Sequence, residues 1–156
     1  GAAYGTAKRW LPERFAEAAA SVGSELGADV ALFGSAEERA LCESIADLLR
    51  PQAGAVYNLA GRTSLREFID LAAACLVFLT NDSGAMHIAS ALGVPTVAIF
   101  GATDHIATGP TGPLARIVRE PVECSPCLLR ECPIDHRCMT GVSSRRVAQT
   151  ALDLLK

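Results

Sequence analysis

Short apolar runs alternate with amphipathic stretches along nearly the whole chain, and that alternation leaves few folds open. The apolar runs fall at 29–33, 56–59, 76–80, 94–100 and 116–118. Those at 76–80 and 94–100 show no polar alternation, as expected of strands covered on both faces. Helical spacings lie between and around them, at 12–26, 37–50, 65–74, 85–92 and 143–155. In the second of these the apolar positions are Ala40, Leu41, Ile45, Leu48 and Leu49, and the pattern stops before Pro51. Pro12 and Glu13 suit a first helical turn, Ser64 and Glu67 have the spacing of a capping box, and Gly93 suits a helix end. Strand–helix alternation with short connections predicts an α/β fold: a Rossmann-like parallel sheet with helices on both faces, as one domain over 1–156.

Composition narrows the function classes. Half of the 156 residues are apolar and a fifth are charged, which excludes a disordered chain. The net charge of −3 excludes a generically basic nucleic-acid binder. No apolar run reaches the ~18 residues that span a bilayer, and the first ten residues lack the charged-then-apolar order of a signal peptide. The expected setting is cytoplasmic. The chain opens without Met inside a glycine-rich turn, which suggests a piece of something longer.

Ligands of parallel α/β sheets bind at the carboxyl ends of the strands, so the residues just after each strand are the candidates. The sharpest such segment is Thr80-Asn81-Asp82-Ser83-Gly84-Ala85-Met86-His87. A helix beginning there offers unpaired backbone N–H groups and a positive partial charge to a phosphate. Gly84 permits close backbone approach, Asp82 can accept from sugar hydroxyls or orient a donor, and His87 lies one turn on. The plainer alternative is that Asp82 or Ser83 is an N-cap and His87 a half-buried core histidine. Lys8, just before Pro12, can neutralise a diphosphate or be a solvated surface lysine. Glu37, after the strand ending at Gly34-Ser35, can hold ribose or simply complement a helix dipole. Thr63 can touch a base or belong to the cap at Ser64. No Walker loop or G-x-G-x-x-G is present, so P-loop hydrolysis and hydride transfer are poorly supported.

Several segments, in order, resemble one family. Ala7-Lys8-Arg9-Trp10, Asn58 through Leu65, Thr80 through Pro95 and Phe100-Gly101-Ala102-Thr103-Asp104 look like the C-terminal half of the lipopolysaccharide heptosyltransferases, glycosyltransferase family 9. Cys124-Ser125-Pro126-Cys127, Glu131-Cys132-Pro133 and His136-Arg137-Cys138-Met139 are most similar to its heptosyltransferase II branch. The resemblance implies a GT-B fold, two Rossmann-like halves facing across a cleft. It implies ADP-L-glycero-D-manno-heptose as donor and a lipid A–inner-core acceptor held by the N-terminal half, which also carries the base. By resemblance Lys8 contacts the donor diphosphate, Asp82, Ser83 and Gly84 hold phosphate and heptose, His87 lies on the next helix, Thr63 lies against adenine, and Glu37 is the ribose carboxylate. The reaction inverts the anomeric carbon and calls for no cofactor or metal. The resemblance also puts a central strand ahead of Gly1, and a protein peripheral to the inner membrane. This chain alone is then expected to bind donor without transferring sugar. An epimerase-like GT-B enzyme is the related alternative.

Cys124, Cys127, Cys132 and Cys138, with His136 nearby, have the composition of a zinc knuckle or iron–sulfur site, although their spacing matches neither common pattern. A metal-stabilised interaction module and simple reduced cysteines both stay open. Cys42 and Cys75 read as buried small hydrophobes.

Overall fold

A computed structural model describes residues 5–156, so the opening turn of Gly1 to Tyr4, and the central strand expected ahead of Gly1, fall outside the described residues. Helix α1 (Pro12–Leu26) has Pro at its first turn and ends on Gly27 in the left-handed region, φ 62°. It leads to β1 (Val30–Leu32), α2 (Arg39–Leu49), β2 (Val56–Asn58), α3 (Leu65–Ala73), β3 (Phe78–Asn81), α4 (Gly84–Ala91) and β4 (Thr96–Phe100). Then come α5 (His105–Thr108), β5 (Ala115–Arg119), α6 (Arg137–Thr140) and α7 (Ser144–Asp153). The two one-turn helices α5 and α6 are not visible in the apolar spacing, because neither has length enough to show a period.

Every strand pairing among the described residues is parallel. In one sheet β1 pairs β2, with Val30 opposite Val56 and Leu32 opposite Asn58. In the other the order is β3-β4-β5, with Leu79 opposite Val97 and Ala98 opposite Ile117. The single sheet expected from sequence is thus divided in two. Between β1 and β3 lies an apolar cavity of about 440 Å³, lined by Val30, Leu32, Val77 and Leu79 and by Phe15 and Val22 of α1.

Strand β4 explains the layering. All five of its residues are buried, and alternate side chains face opposite ways. Val97 and Ile99 pack with Trp10, Ala18 and Val22 on the α1 side and Val147 and Ala151 of α7. Ala98 and Phe100 pack with Met86 of α4. Helices therefore cover both faces, as the unalternated sequence of β4 predicts. A second cluster joins Ala16 and Ala20 of α1 to Ile45 and Leu49 of α2, over Val30, Leu32 and Val56. Truncating fully buried Leu49 to Ala would cost about 2–5 kcal/mol.

Trp10 anchors the N-terminal segment. Its ring is buried edge-on to Phe15, centroids 4.9 Å apart, and its indole N–H donates to the Val142 carbonyl at 3.1 Å. Its backbone N–H donates to the Asn81 side chain at 3.0 Å. That bond ties the segment carrying Lys8 to the carboxyl end of β3.

Candidate functional site

The carboxyl ends of β1, β2 and β3 open onto a second, more polar cavity of about 660 Å³. Phe33, Gly34, Ser35 and Glu38 reach it from the turn after β1, and Thr63 and Phe68 from the loop and helix after β2. Ser83, Gly84 and Ala85 reach it from the head of α4, and Lys8 and Arg130 complete the wall. Arg9, Asp29, Glu38 and Asn81 also reach the cavity between the sheets, but this second one brings Lys8, Arg130 and a helix start to one wall, which suits a charged ligand.

Backbone contacts bring the first two loops together. Leu59 N–H donates to Leu32 O and Gly61 N–H to Gly34 O, both at 2.9 Å, continuing the β1–β2 pairing past the strands. Gly61 sits at φ 67°, and a Cβ there would lie 2.7 Å from Ala36 Cα. Only glycine fits this approach. It holds the Thr63 loop against the Ser35–Glu38 turn.

The head of α4 is open. Ser83 occupies the N-cap position with extended backbone but makes no side-chain cap bond, and the first turn carries no acidic residue. Its hydroxyl lies 3.2 Å from that of Thr80, which also donates to Asn81 O at 2.8 Å. A Cβ added at Gly84 would meet no protein atom within 4 Å. Met86 N–H donates to Ser83 O at 3.1 Å, and the backbone at Gly84 and Ala85, with the positive partial charge of a helix start, lies on the cavity wall without a side-chain cap.

The sequence-predicted residues divide. Lys8, Thr63, Ser83 and Gly84 line the cavity together. Asp82 is buried, 7% exposed, with its carboxylate 3.4 Å from the Thr108 hydroxyl, whose nearer acceptor is Asp104 O at 2.9 Å. Asp82 thus lies between the head of α4 and α5, whose own start is capped by Asp104. Of the N-cap alternatives, Ser83 takes the position without the side-chain cap bond, and Asp82 stands one residue before it. His87 is exposed on α4 and is not on the cavity wall, so the half-buried core histidine does not hold either.

After β1 it is Glu38, not Glu37, that lines the cavity. Glu38 turns back to accept from Ser35 N–H at 3.0 Å, and α2 begins at Arg39 instead of residue 37. Glu37 stands exposed, its carboxyl held below the usual range chiefly by the Ser35 side chain. Phe33, Phe68 and Arg130 are not singled out by spacing. The two rings meet edge-to-face with centroids 5.2 Å apart, and the apolar periodicity of α3 is the available signal for Phe68.

Among the described residues no three His, Cys, Asp or Glu side chains are grouped to hold a metal ion. All six cysteines are free thiols; Cys42 and Cys138 are buried, Cys75 is half-buried and Cys124 is exposed. Burial pushes the Cys42, Cys75 and Cys138 thiols up, and the nearby Cys124, Cys132 and Cys127 push Cys138 further.

The sequence profile of glycosyltransferase family 9 (heptosyltransferase) matches residues 1–137. Lipooligosaccharide heptosyltransferase 2 of Campylobacter jejuni serotype O:2 is 36% identical over 159 aligned residues, covering 100% of this chain and 49% of that protein. Lipopolysaccharide heptosyltransferase 2 of Escherichia coli is 43% identical over 120 residues, covering 76% of this chain and 34% of that protein. A solved structure described as E. coli ADP-heptose lps heptosyltransferase II superposes with a TM-score of 0.83 at 35% identity, over 99% of this chain and 44% of that one. The chain spans at most about half the length of these relatives. With the parallel fold, the open helix start and these matches together, the chain belongs to glycosyltransferase family 9, the heptosyltransferases.

Proposed function

We propose that this chain is the donor-binding part, the C-terminal GT-B half, of a heptosyltransferase that moves L-glycero-D-manno-heptose from ADP-heptose to the lipopolysaccharide inner core. The observation that carries the reading is the cavity in which Lys8 and the uncapped head of α4 share one wall. A diphosphate suits that wall, because a fixed cation and converging backbone N–H groups stabilise its charge without reorganisation. Thr63, Phe68, Ser35 and Glu38 line the same cavity and suit the adenosine. Asp82 is buried directly ahead of the α4 start, and His87 stands one turn beyond on α4.

In the transfer, an acceptor hydroxyl oxygen forms a bond to the anomeric carbon as that carbon's bond to the phosphate oxygen breaks. ADP leaves with the electron pair, and a carboxylate base takes the hydroxyl proton. The base and the lipid A–core acceptor site belong to the other half of the enzyme, which works in the cytoplasm, peripheral to the inner membrane. Within this chain the positive wall stabilises the departing ADP.

Ligand-induced melting shifts test the reading. ADP is expected to raise Tm more than UDP or GDP at equal millimolar concentration, through linkage. A folded sample that shows no response to ADP would sink the assignment. Heptose transfer by this chain alone would overturn the division of labour between the halves.

A further inference from the structure

The stretch from 120 to 136 joins β5 to α6 without regular structure, yet it is tied down at both ends of its path. The Ser125 hydroxyl donates to Gly101 O at 2.6 Å, and Leu128 N–H donates to Ala102 O at 2.8 Å. Both acceptors come directly after β4. Farther on, Ala7 N–H donates to Arg130 O at 2.9 Å, and His136 Nε2 lies 2.7 Å from Ala7 O. Gly5 packs so closely that a Cβ there would lie 2.3 Å from Arg130 O. The turn carrying Lys8 and the loop carrying Arg130 are thus held as one unit, although Ala7 and His136 stand 129 positions apart in the chain.

Lys8 and Arg130 line the same cavity as the head of α4. Among the described residues Glu38 is the one acidic side chain on that wall, and it is engaged by the Ser35 N–H. Two cations and an uncapped helix start on one wall suit a group carrying two or more negative charges. A guanidinium adds a planar fork that can engage two phosphate oxygens at once, which an ammonium cannot.

We propose that Arg130 is a donor-binding residue that clamps the diphosphate of the nucleotide donor together with Lys8, positioned by the ties of its loop to Ala7, Gly101 and Ala102. The proposal rests on the nucleotide-donor reading of this cavity. It gives the cysteine-containing loop a role at the donor site that does not depend on a metal.

Calorimetric titration of the protein with ADP, AMP and adenosine tests it, in wild type, Arg130→Ala, Arg130→Gln and Arg130→Lys. The alanine and glutamine variants are expected to bind ADP about tenfold or more weakly and adenosine as wild type does. Arg130→Lys should fall between, keeping the charge and losing the fork. The dependence of ADP affinity on salt should also become shallower in the alanine and glutamine variants. Unchanged ADP affinity overturns the proposal, and so does an equal loss for ADP and adenosine, the mark of a loop that has merely lost its shape. Melting without ligand identifies a variant that fails to fold, and Arg130→Gln, which retains most of the side-chain stem, then decides. If wild type binds neither ADP nor adenosine, the donor reading of the cavity fails first and takes this inference with it.

Discussion

Two helices in this chain begin on serine after a strand and a turn, and they treat their first N–H groups in opposite ways. At α3 the Ser64 hydroxyl accepts from Glu67 N–H at 3.3 Å, while the Glu67 carboxylate accepts from Ser64 N–H at 2.7 Å. The helix start is closed by its own side chains. At α4 the equivalent partner position is Met86, fully buried against Ala98 and Phe100, and Ser83 makes no cap bond. The core has taken the position from which a carboxylate would have closed the helix. What remains is a start that gives up side-chain cap energy, its Met86 N–H donating to the Ser83 carbonyl and its first two N–H groups left without a side-chain acceptor. A helix start closed by its own carboxylate repels an anion, so the proposed donor reading puts the phosphates at α4 and the uncharged part of the nucleotide near α3.

The contrast is broken most directly by giving α4 the charge that α3 already has. Gly84→Asp places a carboxylate in open space at the helix start. Stability is expected to hold or rise by about 0.3–1 kcal/mol from the helix dipole, while ADP affinity falls roughly a hundredfold as attraction turns to repulsion and the donors are screened. Calorimetry with ADP beside a melting curve reads both signs. Loss of affinity together with loss of stability would mean that the helix start is structural. Next in size is Asn81→Ala, which leaves the buried Trp10 N–H without its acceptor. It should cost about 1–3 kcal/mol in urea unfolding and also weaken ADP, because Lys8 hangs on the same segment. ADP affinity that stays at wild-type level would show that the anchor is not needed to place Lys8.

Much of this is legible in the chain. The unalternated run at β4, the Ser64–Glu67 spacing and the Pro12 start each appear as read, because each depends on neighbours within one turn or one strand. The division of the sheet is not legible, since local pattern does not say which strands become neighbours. Within the site, Lys8 is visible from its place just ahead of Pro12, and Thr63, Ser83 and Gly84 from their places just beyond the carboxyl ends of strands. Spacing does not separate Glu37 from Glu38, because both precede the same helix; the fold-back of Glu38 onto Ser35 delays α2 to Arg39. The delay is two residues, and each residue turns a side chain by about 100° around a helix axis. Arg130 has no local signature at all: its place beside Lys8 comes from a backbone bond between segments distant in sequence.

A paired exchange sharpens the comparison at smaller scale. Ser64→Ala should lower stability by about 1 kcal/mol and leave ADP affinity within twofold. Ser83→Ala should do the reverse, with stability within about 0.5 kcal/mol and ADP binding weakened severalfold. Urea melts and ADP titrations of the two variants, side by side, read the result. If both serines behave alike, in either assay, the distinction between a closed and an open helix start is wrong.

The smallest expected effect is a difference in pH response. The Glu67 carboxyl is held below its usual range, first by the Ser64 backbone N–H and then by the Ser64 hydroxyl. A carboxyl whose folded pKa is depressed adds stability above its unfolded pKa and loses it as pH falls through the folded one. The contribution at α3 should therefore be complete at neutral pH and fade on acidification, starting near the ordinary glutamate value of 4.5 and ending below the lowered folded value. Glu43, Asp135 and Asp153 are lowered too and fade in the same direction, so the whole-protein curve does not isolate Glu67. The stability gap between wild type and Glu67→Gln does. It should be constant from pH 8 to about pH 5 and close through the acid range. No such gap belongs to α4, whose first turn holds no carboxylate. A wild-type to Glu67→Gln gap that stays level down to about pH 3 would mean that the Glu67 charge does not close α3, and a gap near zero throughout would mean that the glutamine amide caps the helix as well.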